Sequence, residues 1–182
     1  MIDPTTVSMI RDIVTIFGVI AGFTYYVLTV QNTRKNQQLQ LETRQAQLFM
    51  QIFQEFSSVD NFRVLNDLMK MEWEDYDDFM RKYSGEMNQD AFAKRYSIQY
   101  RFDGIGLLVM EGLIDLERVH DLMWTFIANV WDKYGDINIK HREVHNNPTF
   151  MEGFEYLANE LRRLRLEKGF SEYGPRKSRQ LS

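Results

Sequence analysis

The histidines are the side chains of this sequence best suited to metal binding or acid–base chemistry, and there are three of them. His141 and His145 lie four residues apart with Glu143 between them, and on a helix this spacing places both imidazoles on one face, where they can bind one metal ion. A third ligand is not evident. We therefore predict no metal site and interpret the segment as a polar linker ahead of the last helix. His120 adjoins an apolar stripe and is interpreted as a packed helix residue.

Other catalytic patterns are missing from the sequence. There is no phosphate-binding P-loop, no G-x-S-x-G nucleophile elbow and no H-E-x-x-H zinc motif, and without cysteine there is no thiol nucleophile. One acidic cluster lacks the alternating oxygen ligands, central glycine and closing glutamate of an EF-hand, so we interpret it as a solvated helix face. Its members are Glu72, Glu74, Asp75, Asp77 and Asp78. We predict a protein that is not an enzyme and has no cofactor.

The densest pattern is the block FDGIGLLVMEGLID at residues 102–115. A glycine inside a helical pattern costs about 1 kcal/mol relative to alanine, so we expect Gly104 and Gly106 to allow a neighbouring helix to approach closely. Asp103 and Arg101 lie among apolar residues, and Arg142 is a candidate ionic partner. Two interpretations are open for these three charged residues: a structural ion pair and a ligand site.

The elements that position this block begin with a run of 18 uncharged residues from Ile13 to Val30. As a helix it reaches about 27 Å, close to the hydrocarbon core of a bilayer at about 30 Å. We predict a transmembrane helix in contact with the lipid bilayer. A soluble core helix and a cleavable signal peptide are the alternatives, disfavoured by the apolar character of its whole circumference and by the lack of a basic leader. Gly18 and Gly22 form a G-x-x-x-G pair through which two copies can dimerise.

The charges beside this run favour a cytoplasmic C-terminal side. Arg34, Lys35 and Arg44 follow the run, against Arg11 before it, and basic residues accumulate on the cytoplasmic side of membrane helices. The absence of cysteine fits a reducing compartment, and the one near match to a glycosylation site carries the forbidden proline, Pro148. We predict a single-pass protein of the cell membrane whose C-terminal domain is cytoplasmic.

The rest of the chain shows a series of helical patterns, because apolar side chains recur at helical spacing and hairpin signals are missing. Gly112 is expected to end one helix and Asp115 to cap the next, while Asn147 and Pro148 are expected to begin the last. The predicted helices beyond the membrane run cover residues 31–56, 59–71, 73–83, 90–113, 116–134 and 148–168.

These patterns predict an all-α fold in five segments. Residues 1–12 form a short N-terminal tail, 13–30 the transmembrane helix and 31–57 a helical stalk that continues it. Residues 58–168 form a compact soluble bundle of about five helices, and 169–182 a basic tail that we expect to be disordered. The many aromatic residues, 13 Phe, 9 Tyr and 3 Trp, suffice for a core without disulfides or metal.

The C-terminal end, residues 161–182, is basic. Such a segment can contact anionic lipid or nucleic acid, but it lacks a folded nucleic-acid reader, so we expect no nucleic-acid partner. Its basic residues are Arg162, Arg163, Arg165, Lys168, Arg176, Lys177 and Arg179.

The block at residues 102–115, together with Trp131 and the segment FEYLA at 154–158, resembles a widespread family of uncharacterised bacterial and archaeal membrane proteins. Its members share the pattern F-acid-x-I-G-L-L-x-x-x-G-L-I-D and have one N-terminal span, a short stalk and a small helical domain. They often have glutamate where this chain has Asp103, so the charge is kept on a shorter side chain here. The resemblance implies this fold and a membrane location. It implies no activity, cofactor or catalytic residue.

Two function hypotheses follow from these observations. One is a non-enzymatic module anchored in the membrane, whose helical domain binds a protein partner or a second copy of itself. The other is an accessory or ligand-sensing subunit of a larger membrane complex or signalling system, in which the region of Asp103 contacts the ligand.

Overall fold

A computed structural model describes residues 3–170, and all regular secondary structure within them is helical. This confirms the predicted all-α class. The described helices are α1 (Pro4–Phe56), α2 (Val59–Lys70), α3 (Tyr76–Tyr83), α4 (Gln89–Met110), α5 (Leu116–His145) and α6 (Glu152–Glu167). The chain divides into two compact units, Met1–Ala46 and Gln47–Ser182.

The first unit is the N-terminal part of α1. The helix begins at Pro4, within the segment assigned to the N-terminal tail, and proline suits a first helical turn because its missing N–H would have no partner there. The apolar side chains at residues 13–30 are mostly exposed. Polar side chains in this run bond to their own helix: the Thr24 hydroxyl donates to the Ile20 carbonyl over 2.9 Å.

In the second unit, α6 packs against both α4 and α5, and the core lies where these helices meet. The C-terminal end of α1 belongs to this core: the ring centroid of Phe56 lies 5.8 Å from that of Phe102 and 5.3 Å from that of Phe126. Burial of each such aromatic side chain stabilises the fold by about 1.5–3 kcal/mol. The packing therefore joins residues that are far apart in sequence without a disulfide.

Local capping residues set most of the helix starts in the second unit. The residue before each of α2, α3, α4 and α5 accepts a hydrogen bond from a backbone N–H of the first turn. These caps are Ser58, Asp75, Asn88 and Asp115. Gly112 follows α4 with φ of 69°, the left-handed conformation common after helices, so the expected roles of Gly112 and Asp115 are confirmed.

Several predicted boundaries are wrong. α3 begins at Tyr76 rather than at residue 73, α4 ends at Met110 rather than at residue 113, and α5 continues to His145. The reason for the longer α5 is packing: the helix goes on burying side chains beyond residue 134. α6 begins at Glu152, and the expected start at Asn147 and Pro148 lies instead in the turn that follows α5.

Candidate functional site

In the second unit, α4 and α6 approach each other closely at two glycines. A Cβ atom added to Gly106 would overlap the carbonyl oxygen of Gly153 and lie 3.0 Å from its Cα. A Cβ atom on Gly153 would in turn lie 3.1 Å from the backbone nitrogen of Leu107. Backbone therefore packs directly on backbone here. Gly104 differs from this expectation: apart from its own helix backbone, no atom lies within 4 Å of the position of its Cβ, so it makes no close helix contact in the described chain.

Asp103 lies one turn before Gly106 and caps α6 from a neighbouring helix. Its Oδ1 accepts a hydrogen bond from the backbone N–H of Phe154 over 3.0 Å. Met151 occupies the N-cap position with φ of 56° and has no side-chain cap bond, so Asp103 serves the role that a local cap serves in α2 to α5. A carboxylate at a helix N-terminus is also favoured by the helix dipole.

Arg142, near the end of α5, holds the turn that leads into α6. Its Nε donates to the Phe150 carbonyl over 2.7 Å and its Nη2 to the Met151 carbonyl over 3.1 Å. Its Nη1 lies 2.5 Å from Glu155 Oε2 in the first turn of α6. The proposed ionic pairing of Arg142 with Asp103 is therefore wrong: the ionic partner is Glu155, because the hydrogen bonds to the Phe150 and Met151 carbonyls hold the guanidinium beside the first turn of α6.

Arg101 belongs to a separate contact. Its Nη1 donates to Asn61 Oδ1 over 3.0 Å, and Asn61 Nδ2 donates to the Phe56 carbonyl over 2.8 Å. This chain of hydrogen bonds links α4 to α2 and to the end of α1. Of the three charged residues considered together in the sequence, Asp103 and Arg142 thus meet at the start of α6, whereas Arg101 does not.

A group of buried polar side chains lies on α4 and α5 and was not singled out in the sequence. Arg95 is 4% exposed, and Gln99 and Asn138 are fully buried. The Arg95 Nε and both polar atoms of the Gln99 and Asn138 amides have no hydrogen-bond partner within the described chain. We call Arg95, Gln99 and Asn138 the interior polar group. Unpaired buried polar atoms of this kind cost about 1–3 kcal/mol each, so three such side chains together require a physical reason.

Aromatic rings surround the Arg95 guanidinium. Its central carbon lies 4.8 Å from the ring centre of Phe79 and 4.7 Å from that of Tyr96, distances at which the ring faces attract a cation. Burial lowers the pKa of Arg95, and a hydrogen bond with Tyr96 acts in the opposite direction. Arginine nonetheless stays charged at neutral pH, because the ordinary pKa of a guanidinium lies far above neutral.

Tyr134 and His141 border the interior polar group on α5. The Tyr134 hydroxyl donates to the Leu68 carbonyl over 2.8 Å, and burial raises the pKa of Tyr134. His141 lies on α5 itself and not in a linker, with its Nδ1 3.1 Å from the Tyr76 hydroxyl. The segment was expected to be a linker because its side chains are polar, but it continues α5, with His141 and Arg142 half-buried.

The other histidines and the charged clusters take part in local contacts. Nδ1 of His120 lies 2.9 Å from Asp121 Oδ1, and its ring stacks on Trp124. No group of three or more His, Cys, Asp or Glu side chains in the described residues is placed to hold a metal ion. In the acidic cluster, a hydrogen bond from Lys82 lowers the pKa of Asp78.

The basic end of the chain is partly neutralised by α5 and α6 themselves. Arg162 forms an ion pair with Asp132, and Arg163 pairs with Glu160 and with Glu167. The remaining basic residues of the predicted tail, Arg176, Lys177 and Arg179, lie outside the described residues. The contacts of α6 thus leave less free positive charge than the sequence indicates.

The surroundings of His141 predict a loss of stability in acid. Burial lowers the pKa of His141, and repulsion from His145 and Arg95 lowers it further. The unfolded chain, with a histidine pKa of about 6.5, then binds a proton more readily than the folded chain. The contribution of neutral His141 to the free energy of unfolding is therefore complete above about pH 6.5 and decreases as the pH falls below it.

We expect the melting temperature of the full chain to fall between about pH 7 and about pH 5, and to fall less in the variant His141→Gln. Thermal melts followed by tryptophan fluorescence measure this difference. An equal fall in the melting temperature of both proteins would show that His141 does not contribute to the loss of stability in acid.

Comparison with protein-family models finds one match, to a family described as a domain of unknown function (DUF4760), over residues 12–161. The matched region includes most of α1, the glycine contact between α4 and α6, and the interior polar group. Comparison with the curated proteins and with the solved structures gives no significant match.

Proposed function

Because the chain belongs to the DUF4760 family, which is defined by a domain of unknown function, we propose a role from the features of the chain itself. It is a single-pass membrane protein, and its helical domain is a non-enzymatic interaction module. The proposed partner is a protein or a second copy of the chain. Gly18 and Gly22 are one candidate contact between copies, since both leave open space where a second helix can approach.

The exposed apolar run in α1 is the observation that carries this proposal. Among the described helices, α1 alone is long and apolar enough to cross a membrane, and its apolar 18-residue window has a mean hydropathy of 2.0 with none of it buried. Core helices of soluble proteins and signal sequences can share this length and composition. A core helix is mostly buried, however, whereas Phe17 and Phe23 are exposed here and would place a large apolar surface in water.

The contacts in the second unit support a binding role over a chemical one. The polar groups of Asp103, Arg142 and Glu155 join α4, α5 and α6, which is a structural use of these side chains. Cytoplasmic placement of this unit is proposed from the basic residues that follow the apolar run, such as Arg34 and Lys35.

Alkaline carbonate extraction of membranes that contain the full chain tests the anchor. We expect the protein to stay in the membrane pellet. Ile20→Arg places a charge in the middle of the run at a cost of about 3 kcal/mol and should move protein into the supernatant. The matched control Leu39→Arg, at an exposed position of the same helix beyond the run, should stay in the pellet. Release of the unaltered protein would contradict the anchor, and a mass that lacks the N-terminal run would indicate a signal sequence.

The orientation is tested in the same membranes through a single introduced cysteine. The chain has no cysteine of its own, so Glu86→Cys, in the exposed turn between α3 and α4, provides a unique thiol. A membrane-impermeant maleimide should label it only after the membrane is permeabilised. Labelling in intact cells would contradict the cytoplasmic placement.

A ligand-sensing role is the second candidate function. The interior polar group favours it, because three buried side chains with unpaired polar atoms are what a polar ligand requires of a binding site. The region of Asp103, which the sequence indicated for this role, is instead engaged in capping α6.

A further inference from the structure

The interior polar group is divided between two helices, α4 and α5. Arg95 and Gln99 are one turn apart on α4, so their side chains leave the same face of that helix. On α5, Asn138 lies one turn after Tyr134 and one turn before His141. The aromatic rings on either side of Arg95 show that these surfaces of α4 and α5 lie close together.

Ring contacts bring these two surfaces together. The Phe79 ring, on one side of Arg95, lies 6.3 Å from the ring of Tyr134. On the other side, the Tyr96 ring lies 6.1 Å from that of Phe150, which lies 4.6 Å from the ring of His141. The segment of α5 between Tyr134 and His141 therefore passes beside the guanidinium, and Asn138 is at its centre.

Within residues 3–170, no carboxylate forms an ion pair with the Arg95 guanidinium. The charged and polar side chains that act most strongly on Arg95 are tyrosines: Tyr96, Tyr134 and Tyr76. All three are neutral at pH 7, because burial raises the pKa of each. Attraction to the faces of Phe79 and Tyr96 offsets part of the cost of the buried cation, but it provides no hydrogen-bond acceptor for the Nε–H of Arg95.

We propose that Arg95, Gln99 and Asn138 form an interior binding site for a small monovalent anion. The guanidinium supplies the charge and an N–H donor, and each amide supplies an NH2 donor. A divalent anion would leave a net negative charge in the apolar surroundings, whereas a monovalent one neutralises Arg95. The Phe79 and Tyr96 rings limit the ligand to a compact species such as chloride, nitrate or formate.

This site is independent of the proposed membrane anchor. It lies wholly within the second unit, and no residue of the apolar run contributes to it. Failure of the anion experiment would leave the anchor proposal intact, and release of the protein by carbonate would leave the anion site intact.

The experiment measures the melting temperature of the full chain, purified in a non-ionic detergent, at constant ionic strength. Sodium gluconate, whose anion is too large for the site, is replaced stepwise by sodium chloride, nitrate or formate. Tryptophan fluorescence reports on the second unit, because the ring centroid of Trp73 lies 5.0 Å from that of Phe79 and 5.1 Å from that of Tyr134. We expect a saturable rise in melting temperature with at least one of the three small anions, because a ligand that binds only the folded state stabilises it.

Variants assign the effect to the site. Arg95→Met keeps the length of the side chain without its charge and should abolish the anion dependence. Should Arg95→Met fail to fold, Gln99→Met and Asn138→Leu, which remove amide donors, decide the question: each should weaken anion binding at least tenfold. The matched control Arg63→Met, at an exposed arginine paired with Asp60, should keep the full anion dependence.

Two results would overturn the proposal. One is a melting temperature of the unaltered protein that is the same in gluconate and in all three small anions. The other is an anion dependence that is equal in the unaltered protein, in the variants of the interior polar group and in Arg63→Met, since this is a general salt effect.

Discussion

Replacement of Gly106 by alanine is expected to lower the free energy of unfolding by about 3 kcal/mol or more, the upper range for an overpacked core. The added methyl group would overlap the carbonyl oxygen of Gly153, and that oxygen is part of a helix backbone that cannot turn aside as a flexible side chain can. Relief requires that α6 move away from α4, which would also lengthen the hydrogen bond from the Phe154 N–H to Asp103.

Gly104→Ala is the matched control, on the same helix and two residues away. Apart from its own helix backbone, no atom lies within 4 Å of its Cβ position, so alanine should leave the free energy of unfolding unchanged or raise it by up to about 1 kcal/mol through its better helix propensity. Denaturant unfolding of the full chain in detergent, followed by tryptophan fluorescence, measures both variants. Equal stabilities for Gly106→Ala and the unaltered chain would contradict the close contact of the two helices.

The two glycines of the 102–115 block show how far the sequence predicts such a contact. A glycine in a helical pattern indicates that a close contact requires a residue without a side chain, and this reasoning holds for Gly106. It does not hold for Gly104, because sequence alone does not give the rotation of α4 about its axis. The partner, Gly153, could not be found from sequence, since a glycine near an expected helix start is equally well explained by the turn before the helix.

The helix boundaries differ for a related reason. Capping residues are local signals, and Asp115 is recognisable from its immediate neighbours. The start of α6 is set instead by Asp103, which lies far from it in sequence, and by Arg142, which belongs to the preceding helix. With no local cap at Met151, the nearest local signal was Asn147 followed by Pro148, and it gave a start that is too early.

The interior polar group had a weak sequence signal. On α4 the apolar stripe runs through Ile98, Phe102 and Ile105, and Arg95 and Gln99 lie on the same side of the helix. A polar residue in such a stripe is expected to reach toward solvent or toward a partner. Sequence does not show which of these occurs. Among the described residues, both side chains are buried, and Arg95 contacts the Phe79 and Tyr96 rings, yet its Nε and both polar atoms of the Gln99 amide have no hydrogen-bond partner.

Replacement of Arg142 by methionine is expected to lower the free energy of unfolding by about 2–4 kcal/mol. Arg142 donates hydrogen bonds to the Phe150 and Met151 carbonyls and pairs with Glu155, and its side chain is only 15% exposed. Methionine fills a similar volume but leaves the Phe150 carbonyl without this donor and the Glu155 carboxylate without its cation. Methionine also removes the hydrogen bond from Arg142 to the Met151 carbonyl, which helps to hold Met151 at positive φ, a conformation unfavourable for a residue with a side chain.

Two further variants separate the contributions of Arg142. Glu155→Gln removes only the ionic part of the contact and keeps both carbonyl bonds, so its loss should be about 1 kcal/mol, smaller than that of Arg142→Met. The matched control Arg118→Met, at an exposed position of α5, should change the free energy of unfolding by no more than about 0.5 kcal/mol. Denaturant unfolding compares the three. If Arg142→Met were no more damaging than Arg118→Met, the hydrogen bonds of Arg142 would not hold the α5–α6 turn, and the N-terminus of α6 would depend on Asp103 and on the glycine contact alone.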